Sequence, residues 1–264
     1  MKLTWLWIAV VGVALFIGTD IAVQSTGNPN FVPTLIMLGS FVIPVAFVAY
    51  FYDHIRDRDI SLSTLAICFL VGGAVGLIAA GFLEYKTLRS ASVGSLIGVG
   101  FIEESAKLVF PVLMFIAWRY RHQADGLLFG VSAGMGFAAL ETMGYGLVAL
   151  IQTQGDVNQL NQVLMIRGLL SPAAHAAWTG LICAMLWRER QRLGRISINY
   201  RVIGYFLLAV ALHAAWDIVN GLNVSALATY GGLLALAVIS LGLLLLRYGE
   251  ARRKPTPPVH AGTS

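Results

Sequence analysis

Eight apolar runs, at roughly 4–23, 31–52, 63–83, 93–118, 126–151, 166–187, 201–221 and 227–247, alternate along the chain with short polar linkers containing Gly, Asn, Asp and Ser. Each run is about the ~20 residues an α-helix needs to cross a ~30 Å hydrocarbon core. The pattern predicts an all-α, polytopic transmembrane bundle of about eight spans. The first run follows Lys2 directly, is too long for a signal-peptide core and shows no small-x-small cleavage site before Gln24, so it reads as a retained span. Residues 1–250 read as one membrane domain. The stretch from 251 to 264, rich in Arg and Pro, has no apolar content to fold around and reads as a disordered tail. Small residues four apart, such as Gly72 and Gly76, Gly94 and Gly98, and Gly130 and Gly134, are placed to let helices pack closely.

Composition sharpens this. Of 264 residues, 58% are hydrophobic and 12% charged, with a mean hydropathy of +0.76, against a charged share of about a quarter in soluble domains. A water-soluble globule, a disordered regulator and a secreted disulfide scaffold are excluded. The net charge of +5 is a matter of orientation, with the lipid bilayer as partner and no nucleic acid. With a cytoplasmic N-terminus, fourteen of the 18 Lys and Arg fall on the cytoplasmic side. Only Lys86, Arg89 and Arg167 fall opposite, and Lys107 sits inside a span. Both termini are therefore expected in the cytoplasm, and the protein in the cell membrane. Cys68 and Cys183 each lie in an apolar run without metal-binding spacing and read as reduced core residues.

Ionisable side chains inside spans cost several kcal/mol to insert, which makes each a candidate for function. Glu103, Glu104 and Lys107 lie in the fourth run, Glu141 in the fifth, His175 in the sixth, and His213 with Asp217 in the seventh. At 1.5 Å per residue, Glu104, Glu141, His175 and His213 fall ~21, ~22, ~18 and ~17 Å from the cytoplasmic side. Helices of alternating direction thus bring them to one layer, slightly beyond the middle of the core, which points to a single site. Glu103 and Lys107 are i, i+4 and Glu104 and Lys107 i, i+3, so Lys107 can neutralise one carboxylate. The other is left to take up a proton from water, as a general base does. Asp217, one turn from His213, can orient its ring. Among the tryptophans, Trp5, Trp7, Trp118 and Trp187 suit interfacial anchoring, whereas Trp178 and Trp216 lie deep enough to line the site. His54, His122 and His260 read as solvated, and Ser171-Pro172 as a local helix break. No activated Ser or Cys lies at the depth of the cluster, so no covalent intermediate is expected. The carboxylates and imidazoles could also hold zinc with an open water position, through Glu104, Glu141, His175 and His213. Yet no HExxH is present, and Lys107 argues for charge compensation by the protein itself; no cofactor is expected.

The strings Glu-Glu-Ser-Ala-Lys (103–107), Phe-Ala-Ala-Leu-Glu (137–141), Ser-Pro-Ala-Ala followed by His175, and His-Ala-Ala-Trp-Asp (213–217) resemble EExxK, FxxxE, H and HxxxD. That is the pattern of the PrsW family of intramembrane proteases, related to the CAAX-prenyl endopeptidases and bacteriocin-processing enzymes, and it covers about residues 93–221. The resemblance implies site-1 type cleavage of a membrane-anchored protein substrate, such as an anti-sigma factor, by a glutamate-dependent enzyme whose relatives have also been labelled metalloproteases. It gives Glu103 and Glu104 the base role and has Glu141 and His175 complete the water-activating site. His213 and Asp217 would stabilise the oxyanion or bind the substrate backbone, with Lys107 and Phe137 in support. The rival classes are a proton- or cation-coupled transporter, disfavoured by the absence of duplicated halves and of broken helices in matching positions, and an inert membrane scaffold.

Overall fold

A computed structural model describes residues 3–55, 58–88, 92–222 and 224–252, which contain helices and no strand. Lys2, Arg56, Arg89, His260 and the tail from 253 onward lie outside the described residues. The helices are α1 (Thr4–Thr26), α2 (Val32–His54), α3 (Leu62–Ile67), α4 (Gly73–Thr87), α5 (Val93–Lys107), α6 (Val109–Ile116), α7 (Gln123–Gln152), α8 (Val157–Leu170), α9 (His175–Leu193), α10 (Tyr200–Gly221) and α11 (Ala226–Ala251). A π-helical turn, Cys68–Gly72, joins α3 to α4. Among the described residues, seven helical stretches are long and apolar enough to cross a membrane. The eighth passage, α5 with α6, is broken.

That break corrects the expectation of one continuous span over 93–118. Pro111 has no N–H to offer the carbonyl of Lys107, and its ring crowds that turn. The chain answers by ending α5 at Lys107, with Leu108 N–H bonded to the Ser105 carbonyl at 3.2 Å, and restarting at Val109. The residues expected to form a polar linker before the sixth run are a second correction. Asp156 caps α8 by accepting from the Asn158 and Gln159 amides. Leu160, Leu164 and Gly168, spaced one turn apart, are its buried stripe. Asn161, beside that stripe, donates to Asp20 of α1 at 2.6 Å, so Asp20 is tied to α8.

The expected break at Ser171-Pro172 is present as a 3₁₀ turn, Ser171–Ala173, and it makes His175 the first residue of α9. The α8–α9 passage runs antiparallel to α7: Gly146 faces Leu160 and Leu164, Glu141 faces Arg167, and Gly134 faces His175. Glycines of α7 set its spacings, Gly126, Gly130 and Gly134 against α9 and Gly136 against the π turn. A Cβ at Gly134 would overlap the His175 carbonyl, and one at Gly136 the Phe69 carbonyl of the π turn. Trp187 departs from its expected interfacial place; it is fully buried against Phe115 and Phe129 and donates to the Tyr120 carbonyl at 3.0 Å. Trp7, by contrast, is exposed. Cys68 and Cys183 are buried free thiols.

Candidate active site

The last turn of α5 carries Glu103, Glu104 and Lys107. Lys107 is wholly buried, and its Nζ donates to Glu103 Oε2 at 2.9 Å, Glu104 Oε1 at 2.8 Å and His175 Nδ1 at 2.8 Å. An ammonium has three protons and no lone pair. All three are therefore used, and the lysine holds both carboxylates where pairing with only one was expected. The Phe137 ring lies 4.2 Å from Nζ on the remaining side, a cation–π contact.

The two adjacent glutamates differ sharply in surroundings. Glu104 is fully buried: Oε1 also accepts from His213 Nδ1 at 3.0 Å, and Oε2 accepts from Thr179 Oγ1 at 3.0 Å. Glu103 shares Oε2 between Lys107 and His213 Nε2, the latter at 3.5 Å. Its Oε1 has no partner among the described residues, and the side chain keeps 9% exposure. His213 Nε2 also lies 3.5 Å from Asp217 Oδ2, one helical turn on. The indole of Trp178 stacks on His213 with centroids 4.6 Å apart and is anchored by Nε1–H donating to Ser240 Oγ of α11 at 3.0 Å. Trp216 stands edge-on to Trp178 at 6.0 Å.

Glu141 approaches from α7, its Oε2 3.3 Å from His175 Nε2 and 2.6 Å from Arg167 Nη2. Glu103, Glu104, Lys107, Glu141, His175, His213, Asp217 and Phe137 thus converge on one place, drawn from α5, α7, α9 and α10. Sequence reasoning passed over two of their neighbours. Thr179 could have been found, since it lies one turn after His175 on the same face. Arg167, at the edge of an apolar run, reads in sequence only as a far-side residue.

Chemically, the arrangement offers a carboxylate oxygen with a free lone pair beside two imidazoles, in a buried setting where charge interactions are strengthened. It does not offer a metal site in this arrangement. The point 2.8–2.9 Å from Glu103, Glu104 and His175 is filled by the Lys107 ammonium, whose charge repels a divalent ion. Among the described residues no three His, Cys, Asp or Glu side chains are grouped as metal ligands.

A family model described as "PrsW family intramembrane metalloprotease" matches residues 61–245. No curated protein and no solved structure matches the chain.

Proposed function

This chain belongs to the PrsW family of intramembrane metalloproteases, and from that premise we propose that it hydrolyses a peptide bond in membrane-anchored protein substrates with water activated by Glu103. The observation that carries the reading is the contrast between the two glutamates: Glu104 has both oxygens engaged, by Lys107, His213 and Thr179, whereas Glu103 Oε1 has no partner among the described residues. The base role, which the sequence left open between the two and leaned towards Glu104, goes to Glu103. Glu104 becomes the anchor that holds Lys107 and His213. The family description includes a metal; since Lys107 occupies the shared donor position, no step is routed through one.

In the proposed step a water lodged against Glu103 Oε1 gives that oxygen a proton as its own oxygen bonds to the scissile carbonyl carbon. The carbonyl π electrons move onto oxygen, and the oxyanion is met by His175 Nε2–H and by the Nε2–H of a doubly protonated His213, whose Nδ1–H is held by Glu104. When the C–N bond breaks, the proton held by Glu103 passes to the departing amine. Trp178 keeps the His213 ring in plane for this, and Asp217 orients it from the next turn. The basic-residue asymmetry supports a cytoplasmic side for both termini, and an anti-sigma factor is one candidate substrate. The family match favours protease over transporter or inert scaffold.

The test compares wild type, Glu103→Gln and Glu104→Gln, purified in detergent and incubated with a panel of single-pass membrane proteins, with cleavage read by mass spectrometry. Glu103→Gln is expected to lower cleavage by roughly 10²–10⁴-fold while unfolding at the wild-type temperature, whereas Glu104→Gln loses stability as well as activity. Full activity in Glu103→Gln would refute the assignment. Loss of wild-type activity in a parallel chelator arm would restore a metal mechanism.

A further inference from the structure

Arg167 reaches the site from α8, held by three side chains of α7. Its Nη2 donates to Glu141 Oε2 at 2.6 Å, its Nε donates to Thr142 Oγ1 at 3.3 Å, and its guanidinium lies 4.0 Å from the Tyr145 ring centroid. The Glu141 oxygen it holds is the one that faces His175 Nε2 at 3.3 Å. The opposite ring nitrogen, Nδ1, lies against Lys107, which can only donate. A neutral His175 therefore carries its proton on Nε2, and that N–H points at Glu141. Two features of the contact matter. It suits the tautomer that Lys107 sets, because a carboxylate accepts and never donates while ionised. It is also long compared with the ~2.7–2.9 Å of a charge-assisted bond, since the shared oxygen is drawn to the guanidinium. The N–H is oriented without being fully committed, and can turn to an oxygen on which charge develops.

We infer that Arg167 is a positioning residue: by clamping Glu141 it keeps a carboxylate in front of His175 Nε2–H and so orients that N–H for the reacting carbonyl. The catalytic half of this statement rests on the protease reading above; the clamp half does not. Arginine is required for its geometry as well as its charge. Its planar fork meets Glu141 and Thr142 at once and lies on Tyr145, while a lysine supplies one point charge.

The experiment uses the full chain labelled with ¹⁵N-histidine, as wild type, Arg167→Lys and Arg167→Gln, at one fixed pH, with His175→Gln to identify the His175 resonances. No substrate is needed. Wild type is expected to show His175 with a protonated Nε2 and a bare Nδ1. Arg167→Gln is expected to keep that tautomer, which Lys107 sets, and to shift the His175 Nε2–H resonance as the Glu141 acceptor is released, and Arg167→Lys to give a smaller shift. In cleavage assays kcat falls about 10²-fold for Arg167→Gln, as for a group displaced by ~1 Å, and KM stays within about twofold, since only an interaction made in the transition state is lost. Arg167→Lys recovers part of that loss. A Glu141→Gln, Arg167→Gln double variant is expected to be no slower than Glu141→Gln alone. If Arg167→Gln does not fold, Arg167→Lys carries both readouts. Unchanged His175 resonances, an unchanged kcat, an effect on KM alone, or fully multiplicative losses in the double variant would each overturn the inference. A shifted His175 Nε2–H resonance in the Arg167 variants of a protein that cleaves nothing, even as wild type, would keep the clamp and discard the protease reading.

Discussion

α1 is one of the most apolar stretches of the chain, yet only 6% of its spanning segment is buried, whereas the less apolar passage formed by α8 and α9 is 83% buried. In water the order would be reversed. In a bilayer the surroundings are as apolar as leucine, so apolar side chains gain little by facing inward, and close packing falls to small and polar residues. α9 has Ala176, Ala177, Thr179, Gly180 and Ala184 at its buried positions, while α1 turns Val10, Val13, Leu15, Ile17 and Ile21 outward. Apolarity here marks contact with lipid, and the functional interior lies where the chain is less hydrophobic.

The contrast can be broken from its polar side first. Lys107→Met removes the ammonium from two buried carboxylates, and stranding buried charge costs about 3–5 kcal/mol. Denaturant unfolding in detergent should show that loss together with complete inactivity; a stable variant would mean that the carboxylates have another source of compensation. Next in size is Gly134→Ala, one added methyl against the His175 carbonyl. Overpacking of this kind costs about 1–3 kcal/mol, and because the strained atom belongs to His175, activity should fall further than stability does. At the far end, Leu15→Ala removes three carbons from a side chain 55% exposed on α1, and its effect on unfolding should stay within about 0.5 kcal/mol. A larger effect would show that α1 is covered in the membrane by something other than lipid.

The cluster at one depth was legible because ionised groups are expensive in a bilayer, so each of Glu103, Glu104, Lys107, Glu141, His175 and His213 stood out against its run. Counting residues from helix ends then sufficed to align them, even though α5 ends at Lys107 and α9 begins at His175. Three things were hidden. Thr179 and Ser240 are neutral hydroxyls that a helix tolerates anywhere, so nothing in hydropathy distinguishes the one that bonds Glu104 from the one that anchors Trp178. The start of α8 reads as a linker because Asn158, Gln159, Asn161 and Gln162 lower its hydropathy, although its Leu160–Leu164 spacing is helical. The break after Lys107 was written in Pro111, but proline is tolerated in membrane helices often enough that its effect depends on neighbours.

The order in which the hub is synthesised gives the i, i+4 pairing of Glu103 with Lys107 a further consequence. His175 follows Lys107 by 68 positions and His213 follows Glu104 by 109. At ~5–20 residues per second of translation, α5 waits about 5–20 s for its last imidazole. During that interval the carboxylates can be neutralised only from within their own helix. Lys107, one turn away, does this from the moment the turn forms, so the nascent segment can leave the insertion machinery with its charges already matched and collect each histidine as it arrives.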